Sequence, residues 1–336
     1  MRRYAIGGLL GLLLSVLAVV AIAVRAEELP RITSIWPLVM AVGASVVAWG
    51  LQGLVSAVLA RPQLGALRVR DMTRIYLVGA FIGGISPVRG AEIPCEVFLL
   101  RRLGLSTGEG STVIILKGLL SVTILALSAL SALVATSRLP KVENPVFLVA
   151  ALAIGGAWAL AVFLIRRRSR RTLNKTAERV QRPGWHARIS NFFADMRRSL
   201  VVLWHREHRA LMLFGIAFMA LYWAFRLSFG PLALMAAGWS GDWVPVVVAQ
   251  LLISSFILPL APTPGGSGAT ELSFATLLSA YASQAHLLSG LIIYAGLTHY
   301  LPTVVGAFFA GRQLWQNTDS SEQAADGVER SNGREA

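Results

Sequence analysis

Cysteine occurs once, at Cys95, so the chain can close no disulfide within itself. Charge is scarce as well: only 14% of the 336 residues are Asp, Glu, Lys or Arg. The five histidines are scattered and no HExxH occurs, so no metal-ligand cluster or cofactor motif is on offer. There is no GxxxxGK[ST] phosphate loop, so any transport would run on a gradient or passively. Asp71, Asp195, Asp242, Asp319 and Asp326 all fall outside the apolar runs, which excludes an intramembrane aspartyl protease.

What is abundant is apolar. Hydrophobic residues make up 55% of the chain and the mean hydropathy is +0.63. A soluble protein of this length would not bury so much apolar surface, so an all-α polytopic membrane protein is expected. The net charge of +14 does not indicate nucleic acid. The basic residues sit between apolar runs, which is the positive-inside pattern of a cell-membrane protein.

About six full spans are expected, near residues 4–24, 35–60, 111–136, 145–165, 210–238 and 286–311. The first run, about 20 residues, exceeds a typical signal-peptide core and reads as a span, with cleavage as the alternative. Arg2 and Arg3, the loop at 61–74, the pair Arg101 and Arg102, and the basic region 166–209 all mark the cytoplasmic side. Both termini are then cytoplasmic. In the basic region, Trp185, Ile189, Phe192, Met196, Leu200 and Leu203 recur at helical spacing opposite Arg188, Asp195, Arg198 and Arg206. That is an amphipathic helix at the interface. Residues 1–312 form the membrane domain, and 313–336 a polar, disordered cytoplasmic tail.

Two apolar segments, 75–100 and 243–283, are interrupted. The first contains FIGGISPVRGAEIPCE (81–96), and the second LPLAPTPGGSGATE (258–271). In lipid, non-helical backbone survives only when protein buries it or it lines a wet cavity. The charge pattern makes the first segment enter and leave on the cytoplasmic side, and it is too short for two spans of about 20 residues each. It reads as a re-entrant helical hairpin. The second is a hairpin of opposite orientation, or two tilted spans. Oppositely oriented broken elements are a recurrent transporter design and suggest an inverted repeat.

Six ionisable residues fall in these membrane regions: Arg89, Glu92, Glu96, Lys117, Arg226 and Glu271. Each is a candidate for substrate binding, because such charges are costly in lipid unless paired or hydrated. Glu92 and Glu96, four apart, share a helix face. Arg89 with Glu92, or Glu96 with Lys117, could equally be ion pairs that lock helices together. Hairpin tips at Pro87 and Gly90, and at Pro264, Gly265, Gly266 and Gly268, would let backbone approach a headgroup closely. Tight turns between helices use the same residues. Trp223, Trp239 and Trp243 suit interfacial anchoring. His299 and Tyr300 suit packing.

Two motifs then carry a family resemblance. Pro87-Val-Arg89-Gly-Ala-Glu92 is similar to P-x-R-x-G-E, with Ala91 where glycine is usual. Pro262-Thr-Pro264-Gly265-Gly266-Ser-Gly268-Ala-Thr-Glu271 is similar to P-x-P-G-G-x-G-x-x-E. The chain resembles the lysylphosphatidylglycerol synthase transmembrane-region family, also called flippase-like, over about residues 5–312. The resemblance implies a non-enzymatic membrane module that moves lipids between leaflets. About 25 residues follow the last span, too few for the aminoacyl transferase domain of the full-length synthases. The expected partners are phosphate-bearing membrane lipids, and a homo-oligomer or an envelope-biosynthesis protein. One alternative is an accessory subunit of an envelope glycosyltransferase, docking through 166–209. A remote one is a rhomboid-like serine protease using Ser267 in Gly265-Gly-Ser267-Gly268 with His299.

Overall fold

The computed structural model describes residues 31–65, 67–86, 90–136, 192, 194–199, 201–202, 208–257 and 268–311. All regular structure among them is helical. In chain order the helices are α1 (Ile35–Leu64), α2 (Val69–Ile85), α3 (Glu92–Arg102), α4 (Thr107–Thr136), α5 (Arg209–Leu227), α6 (Phe229–Ala236), α7 (Trp243–Leu252), α8 (Ala269–Leu278) and α9 (Gln284–Ala295). A π-helical turn, Ile253–Ile257, extends α7. Another, Gly296–Tyr300, joins α9 to a last helix, α10, over 301–311.

Four stretches are long and apolar enough to cross a membrane: Ile35–Leu64, Thr107–Ala129, Arg209–Ala236 and Gln284–Gly311. They match four of the six expected spans. The other two, 4–24 and 145–165, lie outside the described residues. α1 starts at Ile35, as expected, but its C-terminal end runs on through Arg61 to Leu64. α2 begins at Val69. The basic stretch 61–74 is thus largely helical, and the link between the helices is only a few residues. Asp71 in the first turn of α2 suits the positive end of that helix. Ser106 and Glu109 start α4 earlier than expected by a reciprocal cap, with Ser106 N–H donating to Glu109 Oε2 (2.8 Å) and Glu109 N–H to Ser106 Oγ (3.2 Å).

Helices meet through small residues, as expected where lipid removes any hydrophobic drive between them. Gly306 of α10 lies against the Leu77 carbonyl of α2, and Gly84 against Thr303. Gly290 seats Leu234, and Gly53 seats Thr73. The expected fifth span is interrupted at Ser228, between α5 and α6. Gln250 of α7 repairs the break. Its Nε2 donates to the Leu227 carbonyl (2.6 Å), and its Oε1 accepts from Gly230 N–H (3.3 Å). Unpaired backbone groups at this depth would each cost several kcal/mol, roughly.

Each interrupted segment contributes a pair of helices, α2 with α3 and α7 with α8, and the pairs open toward opposite ends of α1; residues 258–267, between α7 and α8, lie outside the described residues. The mouth of the α2–α3 pair lies by the C-terminal end of α1, where Gly104 meets Leu64. The α7–α8 pair has its mouth closed by Trp239 Nε1, which donates to the Tyr281 carbonyl (3.1 Å). That mouth lies by the N-terminal end of α1, since Thr33 N–H donates to the Ala236 carbonyl (2.9 Å) and Gly238 packs on Thr33. Arg61, Arg68, Arg70, Arg74, Arg101 and Arg102 consequently gather at one end of the bundle. The amphipathic segment is helical over 194–199 and docks there on the start of α4. Gly108 meets Asp195 and the Phe192 carbonyl, and Thr112 Oγ1 donates to the Met196 carbonyl (3.3 Å). Asp195, expected on the solvent side, thus faces α4. Residues 166–191, 193, 200 and 203–207 of that segment, and the tail 313–336, fall outside the described residues.

Candidate functional site

The site begins with the packing of α2 on α3. Gly79 lies against the Glu96 side chain, and Gly83 against the Glu92 carboxylate. A methyl at Gly79 would come within 2.8 Å of Glu96 Cγ, and one at Gly83 within 2.9 Å of Glu92 Oε2. Two glycines four apart therefore accept two glutamates four apart on an antiparallel partner. Both glutamates do share one face of α3, as their spacing predicts. Glu96 is buried at 5% exposure, whereas Glu92 is half-buried.

Lys117 of α4 closes an ion pair on Glu96 Oε2, so the interhelix lock anticipated as one reading of that pair is present. The same ammonium sits 5.6 Å from the centre of the Tyr76 ring, at the edge of cation–π range. Tyr76 in turn lies within electrostatic range of Tyr222 of α5. One turn further along α5 is Arg226, whose guanidinium stacks 5.5 Å over the Phe229 ring and lies within electrostatic range of Tyr76, Tyr222 and Tyr294. Tyr294 of α9, stacked on Phe274 at 4.8 Å, interacts in the same way with Glu271 of α8. The result is one row of polar side chains: Glu92, Glu96, Lys117, Tyr76, Tyr222, Arg226, Tyr294, Glu271. It runs from the first turn of α3 to the first turn of α8.

Glu271 is 1% exposed. Its Oε2 accepts from the Gly268 N–H (2.6 Å), the return half of a capping box that glycine, lacking a side chain, cannot complete. Gly268 and Gly90 both take positive φ, 81° and 89°. Each stands just before a helix and is followed within three residues by a glutamate on it. A side chain at either φ would be strained, which is why glycine stands there.

Of the six charged candidates, Glu92, Glu96, Lys117, Arg226 and Glu271 belong to this row. Pro87 and Arg89, and Pro264, Gly265 and Gly266, lie outside the described residues, as does Ser267. Three residues were missed: Tyr76, Tyr222 and Tyr294. A tyrosine in an apolar span is no outlier, and only the assembled helices align these three between the charges. Two expectations about aromatics need correcting. Trp223 and Trp239 are buried, each 7% exposed, and are not interfacial. Each indole N–H has an internal acceptor, Ser121 Oγ at 3.0 Å and the Tyr281 carbonyl, which removes the cost of burying it. Trp243 is exposed as expected. Among the described residues no group of His, Cys, Asp and Glu could hold a metal ion.

Apolar helices of spanning length around a buried charged row define a multi-pass, all-helical membrane protein. The chain belongs to the family described as lysylphosphatidylglycerol synthase TM region, whose family model matches residues 5–306. No curated protein matches the chain. Membership ties this membrane domain to a function concerned with membrane lipids.

Proposed function

We propose that the chain is a flippase-like transporter that moves an anionic, or amino-acid- or sugar-modified, lipid between the leaflets of the cell membrane. The observation that carries this reading is the polar row linking the two helix pairs. A headgroup loses its hydration on entering hydrocarbon, and a charge at the centre of a bilayer costs several kcal/mol, roughly. A row of fixed charges and hydroxyls replaces that water along the path while the acyl chains stay in lipid. In this reading the two helix pairs are re-entrant hairpins entering from opposite faces, and the arginine-rich end of the bundle is cytoplasmic. Both termini are then cytoplasmic, and no covalent chemistry is assigned to the domain.

Translocation of labelled anionic and cationic lipids in proteoliposomes tests this. Wild type is compared with Glu92→Gln, Glu271→Gln and Arg89→Ala, with folding checked for each. Protein-dependent movement that these changes abolish is expected. Full activity in all three makes the charges structural. No movement of any lipid, under any pH or ion gradient, points instead to an accessory subunit of an envelope glycosyltransferase.

A further inference from the structure

The arginine-rich end of the bundle carries more charge than it neutralises. Arg61, Arg68, Arg70, Arg101 and Arg102 are all exposed. The ion pairs among the described residues are Arg74–Asp71, Lys117–Glu96 and Arg198–Asp195, and none of these arginines belongs to one. They come from the end of α1, the start of α2 and the end of α3. Gly104 on Leu64 draws these segments together around the mouth of the α2–α3 pair. Packed helices stand roughly 8–10 Å apart, so a face spread over three of them is about 20 Å across. Like charges at such spacing repel unless an anion joins them.

One segment of the chain has the opposite charge and follows the helix that ends here. α10 runs antiparallel to α2: Thr303 meets Gly84, Gly306 meets Leu77, and the Arg74 guanidinium lies 5.6 Å over the Phe309 ring. Gly311, the last residue of α10, therefore stands beside the first turns of α2 and the arginine face. From 313 to 329 the sequence holds Asp319, Glu322, Asp326 and Glu329 and no Lys, Arg or His. Their spacing of three, four and three is the one that sets side chains on a single face of a helix. The eight residues from Gly311 to Asp319 reach roughly 28 Å at full extension, enough to cross the face. Residues 166–191, which lead into the helix docked at the same end, carry nine Lys and Arg to one Glu and so cannot offset it.

We propose that the acidic segment 319–329 of this same chain docks on the face formed by Arg61, Arg68, Arg70, Arg101 and Arg102, as a strap across the mouth of the α2–α3 pair. Exposed ion pairs are individually weak. Here several act at once, and the short tether from Gly311 keeps the segment at high local concentration. The guanidinium fork takes a carboxylate by two hydrogen bonds, which gives each pair a preferred geometry. Because the pairs are exposed, salt loosens the strap. The inference stands on packing and charge alone and is independent of the transport reading.

The test is the distance between two spin labels on the full-length chain, read by pulsed electron spin resonance. The labels are carried by Val69→Cys, exposed on the arginine face, and Gln323→Cys, in the acidic segment, with Cys95→Ala removing the native thiol. The protein sits in phosphatidylcholine nanodiscs at low salt. A docked strap gives one narrow distance. Asp319→Asn, Glu322→Gln, Asp326→Asn and Glu329→Gln together should abolish that peak and leave a broad spread, and they change no residue of the helices. Salt at about 0.5 M should do the same to the unaltered strap. So should Arg68→Gln, Arg70→Gln, Arg101→Gln and Arg102→Gln together. Should that arginine variant not fold, the carboxylate variant decides. A spread already broad at low salt overturns the strap. A narrow distance that survives loss of the carboxylates overturns it too, as does one that survives in a folded arginine variant. A peak lost on moving to phosphatidylglycerol nanodiscs gives the face to lipid headgroups and overturns the assignment.

Discussion

Replacing Lys117 by methionine removes one partner of the Glu96–Lys117 ion pair. The side chains are 6% and 12% exposed, so neither charge can turn to water. Glu96 is also pinned from behind, because Gly79 leaves no more room than its chain fills. Truncating one member of such a pair strands the other charge, which costs about 3–5 kcal/mol. Lys117→Met and Glu96→Gln should therefore each destabilise by about that much. The double variant Glu96→Gln/Lys117→Met carries no stranded charge and should recover most of the loss, since an apolar replacement of a buried pair is often close to neutral. The coupling between the two changes should reach about 2 kcal/mol or more. It is read from reversible unfolding of all four proteins in mixed micelles. Losses under about 1 kcal/mol in the single variants, adding without coupling in the double, would refute the claim that the pair is dry.

Gly306→Ala sets a methyl against the Leu77 backbone carbonyl, which cannot swing aside, so α10 must move off α2. A loss of about 1–3 kcal/mol in the same unfolding assay is expected, and no loss would mean that the two helices are not in contact. Gln250→Ala leaves the Leu227 carbonyl and the Gly230 N–H unpaired at the α5–α6 break. A loss of about 2–5 kcal/mol should follow, with faster amide exchange near Ser228 by mass spectrometry. Ser106→Ala removes half of the α4 cap and should cost about 0.5–2 kcal/mol, while Ser106→Asp should hold stability.

Much of the architecture was legible because its causes are local. Long apolar runs make helices, and Pro and Gly among them mark the breaks, so four spans and the interruption after Ile85 stand close to where the sequence places them. Glu92 and Glu96 share a face because four residues nearly complete a helical turn. What was illegible depends on which helix neighbours which. Gly79 and Gly83 look like ordinary small residues until α3 brings two glutamates against them. Tyr76, Tyr222 and Tyr294 come from three different helices and acquire meaning only between the charges they join. Trp223 and Trp239 were misjudged for the same reason, since an amphipathic ring suits an interface by composition and only its neighbour can supply an internal acceptor. The short link between α1 and α2 was overestimated because arginines were taken to mark a loop, although an arginine at the end of a helix reaches water equally well.

The equal spacing of Gly79 and Gly83 against Glu96 and Glu92 carries a mechanical consequence. Two notches one helical turn apart face two pegs one turn apart. Sliding α3 along α2 by one turn, about 5.4 Å, brings Glu96 to Gly83 or Glu92 to Gly79 and keeps one peg seated. Intermediate positions seat none. Such a pair works as a detent: it offers a second setting one click away, and the Glu96–Lys117 pair is what holds the first.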